Sequence, residues 1–260
     1  MQDGYDPQRV LPRVPLLDAT RDRQVDRATL QDELDISRAT AYRRTSALTD
    51  DGLLERRPAG YRATGAGAAV VDVAERFERS LAAIDRLQPL LAELSAPELT
   101  RNIDLFADAD LHTATPQHPS APIEPWLDHF ESFDRCRTLV VAGCPPAVTR
   151  QGLEHARNGV DFEAICTPLA LEADQNASEE AFDTIAGAEG PSLYTNPDLP
   201  FTMGLIDELV IIGGFDAETA LPTASVTTDD PDAREWATDL YHRYKRDAEH
   251  LDAGAVETPA

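Results

Sequence analysis

The N-terminal fold is decided by residues 26–63, which read DRATLQDELDISRATAYRRTSALTDDGLLERRPAGYRA. Leu30 and Leu34 are spaced to share one face of a first helix. After a short turn, Ser37 can cap a second helix, because a serine side chain accepts a hydrogen bond from a free N–H of the first turn. The side chains expected to face inward from this second helix are Ala41, Thr45 and Leu48.

A hairpin is predicted directly after the second helix. Gly52 stands where helices commonly end on a left-handed residue. Residues 53–57 and 61–63 then read as two short strands around the turn PAG at 58–60. Helix, turn, helix and basic hairpin in this order predict a winged helix-turn-helix domain over residues 1–64.

The surface predicted for this domain is rich in arginine. Arginines are also typical of a merely solvated helix face, but here the capped helix and the basic hairpin agree in one short window, which favours double-stranded DNA as the partner. Base edges or groove walls are predicted to be contacted by Arg38, Thr40, Tyr42 and Arg43. Phosphates are predicted to be contacted by Ser37, Arg44, Arg56, Arg57 and Arg62.

The two parts of the chain differ sharply in charge. Residues 1–80 hold 13 arginines against 14 acidic residues, whereas residues 81–260 hold 10 basic and 33 acidic residues. A DNA backbone repels a carboxylate-rich surface, so only the N-terminal part is expected to approach a duplex.

The overall composition is typical of proteins from salt-loving archaea. The net charge is −24, and Lys245 is the one lysine of the chain beside 22 arginines. In molar salt the Debye length falls to about 3 Å, so long-range attraction to DNA is screened. Contacts to DNA must then be close and geometric, which suits the planar guanidinium group.

Residues 65–97 are predicted to form a connecting helix, which Pro89 should kink before its last turn. Apolar residues recur along it at steps of three and four. This stripe is a candidate seam for a homodimer, since paired domains read two-fold symmetric operators, but it could instead pack on the chain's own second domain. The stripe consists of Val70, Ala74, Phe77, Leu81, Ile84, Leu87, Leu91 and Leu94.

Residues 98–253 are predicted to form an α/β sandwich with a mostly parallel sheet, followed by a tail at 254–260. Four prolines between residues 99 and 129 predict an irregular connection there, apart from a short apolar segment at 103–106. Apolar runs that alternate with helical patterns predict the strands. These strands are 138–142, 160–166, 192–195, 201–206 and 209–213, with 224–227 as an edge strand. The last helix is predicted to begin at Asp229 or Asp230.

Three phrases carry a family resemblance: GVDFEAICTPLALE at 159–172, LPFTMGLIDELVIIGGFD at 199–216 and DPDAREWATDLYHRYKRDAEHL at 230–251. Together with the predicted N-terminal domain, they resemble the archaeal regulators that carry a methanogenesis-regulatory-protein middle domain, which are abundant in haloarchaea. The resemblance implies a sequence-specific transcription regulator whose C-terminal domain senses a signal or mediates assembly.

A second resemblance concerns the phospholipase-D-like domains attached to sugar-responsive archaeal regulators of the TrmB type. The Asp-Glu turn at 207–208 and the final helix carry it. The catalytic signature of those domains is H-x-K followed by an aspartate. Here His242 and Lys245 are one residue too far apart, so this route to phosphodiester chemistry is excluded, and we predict that the protein is not an enzyme.

No cofactor or metal is predicted. The three cysteines lack C-x-x-C spacing, and no histidine pair has a ligand spacing. If a small-molecule effector binds, fold logic places it beyond the carboxyl ends of the parallel strands. The residues expected there are Cys144, Pro145, Thr167, Tyr194 and Asn196.

The sequence contains no apolar run long enough to span a bilayer, so we expect a cytoplasmic protein without a membrane partner. The leading interpretation is a sequence-specific regulator that binds double-stranded DNA and responds to a ligand through its C-terminal domain. Two alternatives stay open. One is a protein-interaction or architectural module whose arginines contact acidic protein surfaces, and the other is a small-molecule enzyme of α/β type.

Overall fold

A computed structural model of the chain describes residues 5–94, 96–130, 132–143, 160–177, 192–216 and 221–251. The chain divides into two compact units, residues 1–81 and residues 82–260. The division falls inside the helix that the sequence predicts between two domains. The predicted tail at 254–260 lies outside the described residues.

The first unit contains short helices followed by a hairpin. It begins with α1 (Pro7–Val10), a 3-10 turn (Leu11–Arg13) and α2 (Val14–Ala19). Pro12 and Pro15 each stand in the first turn of a new element, where the missing N–H has no helical partner to lose. Two longer helices follow, α3 (Arg27–Glu33) and α4 (Arg38–Asp50). The hairpin consists of β1 (Leu54–Arg57) and β2 (Gly60–Ala63), and α5 (Gly65–Arg86) continues from it.

Apolar side chains from all these elements form the core of the first unit. The buried residues are Val10, Leu16, Leu17, Val25, Leu30, Leu48, Leu53, Leu54, Tyr61, Ala63 and Val71. Val25 also adds a third, strand-like partner to the hairpin. Its N–H donates to the carbonyl of Tyr61 at 2.9 Å, and the N–H of Tyr61 donates back at 2.8 Å. The hairpin is therefore fixed to the segment that precedes α3.

The second unit combines helices with a large sheet. Its first elements are α6 (Gln88–Glu93), α7 (Pro97–Thr100), a 3-10 turn (Ile103–Phe106), β3 (Asp110–Thr113) and α8 (Glu124–Phe130). Then come β4 (Arg135–Val140), β5 (Asp161–Cys166), α9 (Pro168–Ala177), β6 (Ser192–Thr195) and β7 (Thr202–Ile206). The last elements are β8 (Leu209–Phe215), β9 (Pro222–Thr228), α10 (Pro231–Arg246) and β10 (Glu249–His250).

The predicted mostly parallel sheet is wrong, because the sheet is mixed. Among the described residues, eight strands lie in the order β10-β6-β5-β4-β7-β8-β9-β3. Only the pairs β4–β5 and β5–β6 are parallel, and the other five pairs are antiparallel. The physical reason is connection length. A two-residue turn such as Asp207-Glu208 between β7 and β8 can only join antiparallel neighbours, whereas parallel strands need a long crossover.

Residues 224–227 form a strand as predicted, but their predicted position at the edge of the sheet is wrong. This segment belongs to β9, which lies between β8 and β3 inside the sheet. The outer position is taken by β3, whose residues Asp110–Thr113 pair antiparallel with β9. The proline-rich stretch 99–129, predicted to be irregular, therefore supplies a strand and the helix α8. The prolines fall outside β3, so they do not interrupt its ladder.

Helices cover both faces of the sheet. On one face, Leu139 and Ile165 join an apolar cluster with Leu240 and Tyr241 of α10. On the other, Trp126 of α8 packs in a cluster with Cys136 and Ile206. Trp126 lies over Gly204, where a Cβ would stand 2.6 Å from its ring. The alternation of side chains along each strand produces these two cores.

Candidate nucleic-acid interface

The N-terminus of α4 is built from the residues that the sequence singles out. Ser37 caps the helix, and its Oγ accepts a hydrogen bond from the N–H of Thr40 at 3.1 Å. Ala41, Thr45 and Leu48 are buried, as predicted. The Ser37 cap therefore fixes where α4 begins, and the buried apolar stripe fixes which side of the helix faces the core.

The side of α4 that faces away from this core carries the predicted reading residues. Arg38, Tyr42 and Arg43 are exposed, and 59% of Tyr42 is accessible. Arg43 projects almost opposite the buried stripe, since it lies two residues after Ala41, a rotation of about 200° on a helix of 3.6 residues per turn. Arg44 is half-buried.

Ser37 and Thr40 are less available than the arginines. Their hydroxyl oxygens lie 2.9 Å apart and share a hydrogen bond, while Ser37 also holds the cap. Both side chains are therefore already partnered within the first turn of α4. A contact from either of them to a ligand requires its remaining donor or acceptor capacity.

The hairpin depends on a glycine at its turn. Gly60 has a φ of +144°, and a Cβ there would stand 2.4 Å from the carbonyl oxygen of Val25. Only glycine allows this approach, which brings β2 next to the segment before α3. Residue 60 must therefore be glycine for the hairpin to pack against Val25, whatever the general preference of the turn.

The three hairpin arginines are divided between two faces. Glu55 pairs with Arg62 across the strands, and Arg56 pairs with Tyr61. Because side chains alternate along a strand, Glu55, Arg57 and Arg62 share one face, whereas Arg56 shares the face of the buried Tyr61. All three arginines are exposed.

One of these arginines is held by a carboxylate. Arg57 Nε donates to Glu55 Oε1 at 2.8 Å, and its terminal nitrogen lies 2.6 Å from the same oxygen. Within the part of the chain that the structure describes, no ion pair engages Arg38, Arg43, Arg44, Arg56 or Arg62. Their positive charge is therefore not neutralised by a described carboxylate.

Other arginines of the first unit serve the fold. Arg21 bridges Asp72 and Glu75 of α5 at 2.9 Å each, and Arg23 binds Glu33 of α3. Their exposed partners make these pairs worth little individually. Arg21 and Arg23 are thus engaged within the first unit, unlike the arginines of α4 and the hairpin that pair with no described carboxylate.

Arg27 is missing from the residues predicted from the sequence. Its guanidinium carbon lies 4.6 Å from the ring centroid of Tyr42 and 5.1 Å from that of Tyr61, and its Nε donates to Thr45 Oγ1 at 3.0 Å. The three partners come from different elements, so no local spacing could indicate this arrangement. Asp26, beside it, caps α3, and hydrogen bonds from the N–H groups of Thr29 and Ala28 lower the pKa of its carboxyl group.

The predicted effector residues have structural roles where they are described. Thr167 Oγ1 accepts from the N–H of Ala170 at the start of α9 and donates to the carbonyl of Val141 at 3.0 Å. Asn196 is buried, and its side chain donates to the carbonyl of Tyr244 while accepting from the N–H of Asp198. Tyr194 is half-buried beneath Lys245.

Cys144 and Pro145 lie outside the described residues, so an effector site beside them stays a prediction. In the part of the chain that is described, no cluster of three or more His, Cys, Asp or Glu side chains could hold a metal ion. No described helix combines the length and apolarity that crossing a membrane requires.

Two family models match the chain. Residues 5–86 match the HVO_A0261 N-terminal domain, and residues 119–247 match the middle domain of the methanogenesis regulatory protein FilR1. The second match confirms the predicted resemblance to the methanogenesis-regulatory-protein middle domain. The first runs from before α1 to the last residue of α5. No curated protein matches the sequence.

Among solved structures, the chain is similar to TrmBL2, described as an archaeal chromatin protein with a novel mode of DNA binding. The identity is 13%, the match covers 94% of each chain, and the TM-score is 0.43. It is also similar to Nuc from Salmonella typhimurium, a phospholipase D family member, with 17% identity over 55% of this chain and 99% of that chain and a TM-score of 0.45. NucT from Helicobacter pylori matches with 12% identity, 55% and 98% coverage and a TM-score of 0.43.

Proposed function

We propose that this protein is a transcription regulator of a halophilic archaeon that binds double-stranded DNA sequence-specifically through a winged helix-turn-helix domain in residues 1–64. The observation that carries the proposal is the outer side of α4, where Arg38, Tyr42 and Arg43 are exposed beside a basic hairpin. Major grooves admit one α-helix, and arginine is the commonest reader of guanine edges. The FilR1 match supports a regulatory role, and such a protein acts on the chromosome in the cytoplasm.

The roles of the side chains follow from their exposure and partners. Arg38, Tyr42 and Arg43 would contact base edges or groove walls. Arg44, Arg56, Arg57 and Arg62 would contact phosphates, which position a protein without reading sequence. Ser37 and Thr40 would add contacts only through the capacity that the helix cap leaves them.

A homodimer is the second part of the proposal. Val73, Phe77 and Leu81 are spaced by four residues on one side of α5, and between 51% and 69% of each is exposed. Exposed apolar stripes of this kind mark interaction surfaces. A second copy would cover the stripe in a two-fold arrangement, in which the same surface faces itself. Two modules would then read two half-sites.

The second unit would carry the regulatory input. This part of the proposal is supported by the FilR1 middle-domain match and by the separate compact unit that residues 82–260 form. A bound effector would alter operator affinity by favouring one of two states of the dimer.

The test is a selection of duplexes from a randomised library with the full-length protein, at a series of molar KCl concentrations. The selected duplex and a shuffled duplex of the same composition are then titrated side by side. We expect the protein to bind the selected duplex at least about 10³-fold more tightly than the shuffled duplex. The proposal fails if no sequence is enriched or if both duplexes bind equally. Equal binding would favour the architectural alternative.

Arg43→Ala is the informative variant, and Arg246→Ala is its matched control. Arg246 is an exposed arginine of α10 in the second unit. We expect the Arg43 substitution to reduce the preference for the selected duplex by about 1–3 kcal/mol and the Arg246 substitution to leave it intact. If both variants lose the preference equally, net charge rather than the surface of α4 governs binding.

A further inference from the structure

Arg27 connects three elements of the first unit. It lies on α3, and its guanidinium contacts the rings of Tyr42 on α4 and Tyr61 on β2. Its Nε donates to Thr45 Oγ1, and that hydroxyl in turn donates to the carbonyl of Tyr42 at 3.1 Å. Arg27 is therefore held both by the two aromatic rings and by its hydrogen bond to Thr45.

The two tyrosines that Arg27 contacts differ sharply in burial. Tyr61 is 7% exposed, and both its backbone groups bond to Val25. Tyr42 is 59% exposed, and its ring projects from the outer side of α4. A cation over an aromatic face is attracted by the ring quadrupole, most strongly where water is excluded. Arg27 therefore joins an anchored ring to an exposed one.

No described carboxylate pairs with Arg27. Arg27 is half-buried, and its Nε already donates a hydrogen bond to Thr45. A direct contact to a phosphate would compete with the ring contacts and with the hydrogen bond to Thr45. A role in holding Tyr42 keeps all of these interactions in place.

We propose that Arg27 is a positioning residue that holds the ring of Tyr42 in one orientation and thereby sets sequence discrimination, without itself contacting DNA. This inference rests on the proposed function. An exposed tyrosine on a helix otherwise exchanges between rotamers, and fixing it on binding costs affinity. Arg27 orders the ring before the duplex arrives.

The test is a double-mutant cycle in the full-length protein with Arg27→Met, Tyr42→Ala and the double variant. Each is titrated with the selected and the shuffled duplex over a series of KCl concentrations. We expect Arg27→Met to weaken binding of the selected duplex by about 3- to 30-fold, the range of a cation–π contact. Binding of the shuffled duplex and the salt slope should stay unchanged. In the Tyr42→Ala background, Arg27→Met should have no further effect.

Two readouts separate positioning from mere stability. Urea unfolding reports whether Arg27→Met remains folded, and Arg27→Lys keeps the cation while losing the Nε bond to Thr45. We expect Arg27→Lys to recover part of the discrimination. In the free protein, the Hα–Hβ couplings of Tyr42 measured by NMR should indicate one rotamer in the wild type and averaging in Arg27→Met.

The outcomes distinguish the two proposals. If the wild type does not discriminate between duplexes, the proposed function fails, and the role of Arg27 in discrimination fails with it. If the wild type discriminates but the cycle is additive, only the role of Arg27 is overturned. A salt slope that falls by about one for Arg27→Met would identify Arg27 as a phosphate contact instead.

Discussion

Lys245 Nζ lies 2.5 Å from Oε2 of Glu163, and the same oxygen accepts a hydrogen bond from the hydroxyl of Tyr241 at 2.8 Å. Both donors belong to α10, whereas Glu163 lies on β5. Arg137 of β4 approaches the carboxylate at 3.3 Å. Burial alone would raise the pKa of Glu163, but the bonds from Lys245 and Tyr241 and the charge of Arg137 outweigh it and lower this pKa. The cluster attaches α10 to the sheet.

Replacing this carboxylate should destabilise the second unit in a pH-dependent way. We expect Glu163→Gln to reduce the free energy of unfolding by about 1–3 kcal/mol at neutral pH, because hydrogen bonds to a charged group are lost. The pKa of Glu163 is lower in the folded than in the unfolded state. Its contribution is therefore present above the ordinary value of 4.5 and is lost as the pH falls through the folded pKa.

Urea unfolding of the wild type and of Glu163→Gln at several pH values measures this effect. The difference between the two should shrink as the pH falls from about 5 to about 3. Glu235→Gln, an exposed substitution on α10, is the control and should change stability by less than about 0.5 kcal/mol. A difference that is independent of pH would mean that the charge of Glu163 contributes nothing.

Tyr241 should limit stability at alkaline pH. Burial raises the pKa of its hydroxyl far above the usual range, and the hydrogen bond to Glu163 and the charge of that carboxylate raise it further. Because the folded pKa exceeds the unfolded value, the stabilisation is complete below about pH 10 and is lost as the pH rises above it. We expect the free energy of unfolding to fall less for Tyr241→Phe than for the wild type between about pH 9 and 11, because phenylalanine has no hydroxyl group that ionises on unfolding.

Denaturant midpoints across that pH range provide the measurement. Tyr42→Phe is the control, since Tyr42 is exposed and its substitution should leave the alkaline decline as in the wild type. Parallel declines for the wild type and Tyr241→Phe would show that another group governs alkaline unfolding.

Local signals in the sequence predict local structure well in this chain. The cap at Ser37, the left-handed Gly52 at φ +73° and the start of α10 after Asp230 all occur where predicted. Each depends on residues only a few positions apart, whose geometry is set by backbone sterics and hydrogen bonding.

Contacts between distant segments account for what the sequence could not predict. The strand β3 has four residues and pairs with β9 more than a hundred residues later, and β10 has two residues. Neither is long enough to show a periodic pattern. Arg27 is likewise defined by residues of three elements. The candidate reading residues on α4 follow from one helix, so their exposure was accessible from sequence.

The turn between β7 and β8 depends on Asp207. This residue has a φ of +51°, and its Oδ1 accepts from the N–H groups of Asp134 at 3.1 Å and Arg135 at 2.9 Å. We expect Asp207→Ala to reduce the free energy of unfolding by about 1–3 kcal/mol, because alanine accepts no bond and disfavours the left-handed region. Asp207→Asn should cost less, since asparagine tolerates this region and retains an acceptor.

Thermal or urea unfolding of the three proteins tests this ranking. Glu208→Ala is the neighbouring control. Glu208 forms an ion pair with Arg234 at the surface, and such pairs contribute about 0–1 kcal/mol. Equal losses for Asp207→Ala and Asp207→Asn would show that neither the acceptor nor the backbone conformation matters at this turn.

The proposed dimer should dissociate when its apolar stripe is charged. Phe77 is half-exposed near the middle of α5. We expect Phe77→Glu to yield a monomer in sedimentation experiments in molar KCl, because burying an unpaired carboxylate in an apolar interface is strongly unfavourable. Glu78→Gln, on the adjacent side of the helix, should remain dimeric. A dimer that survives both Phe77→Glu and Leu81→Glu would place the interface elsewhere.

Arg43 should contribute to discrimination rather than to general affinity. We expect Arg43→Ala to weaken binding of the selected duplex by about 1–3 kcal/mol and to leave the shuffled duplex nearly unchanged. Equilibrium titrations of both duplexes measure this. Equal losses on the two duplexes would mean that Arg43 binds phosphate.

Glu55 should restrain nonspecific binding through its bond to Arg57. In the free protein the carboxylate occupies this guanidinium, so a phosphate must compete for it. We expect Glu55→Gln to strengthen binding to every duplex and to steepen the slope of log affinity against log salt by about one, because one more phosphate is neutralised. Arg57→Ala should do the reverse, weakening all duplexes alike. Because the two substitutions act on one contact, Glu55→Gln should lose its effect in the Arg57→Ala background. If it still steepens the slope there, the carboxylate repels the phosphates directly and Arg57 is not the contact.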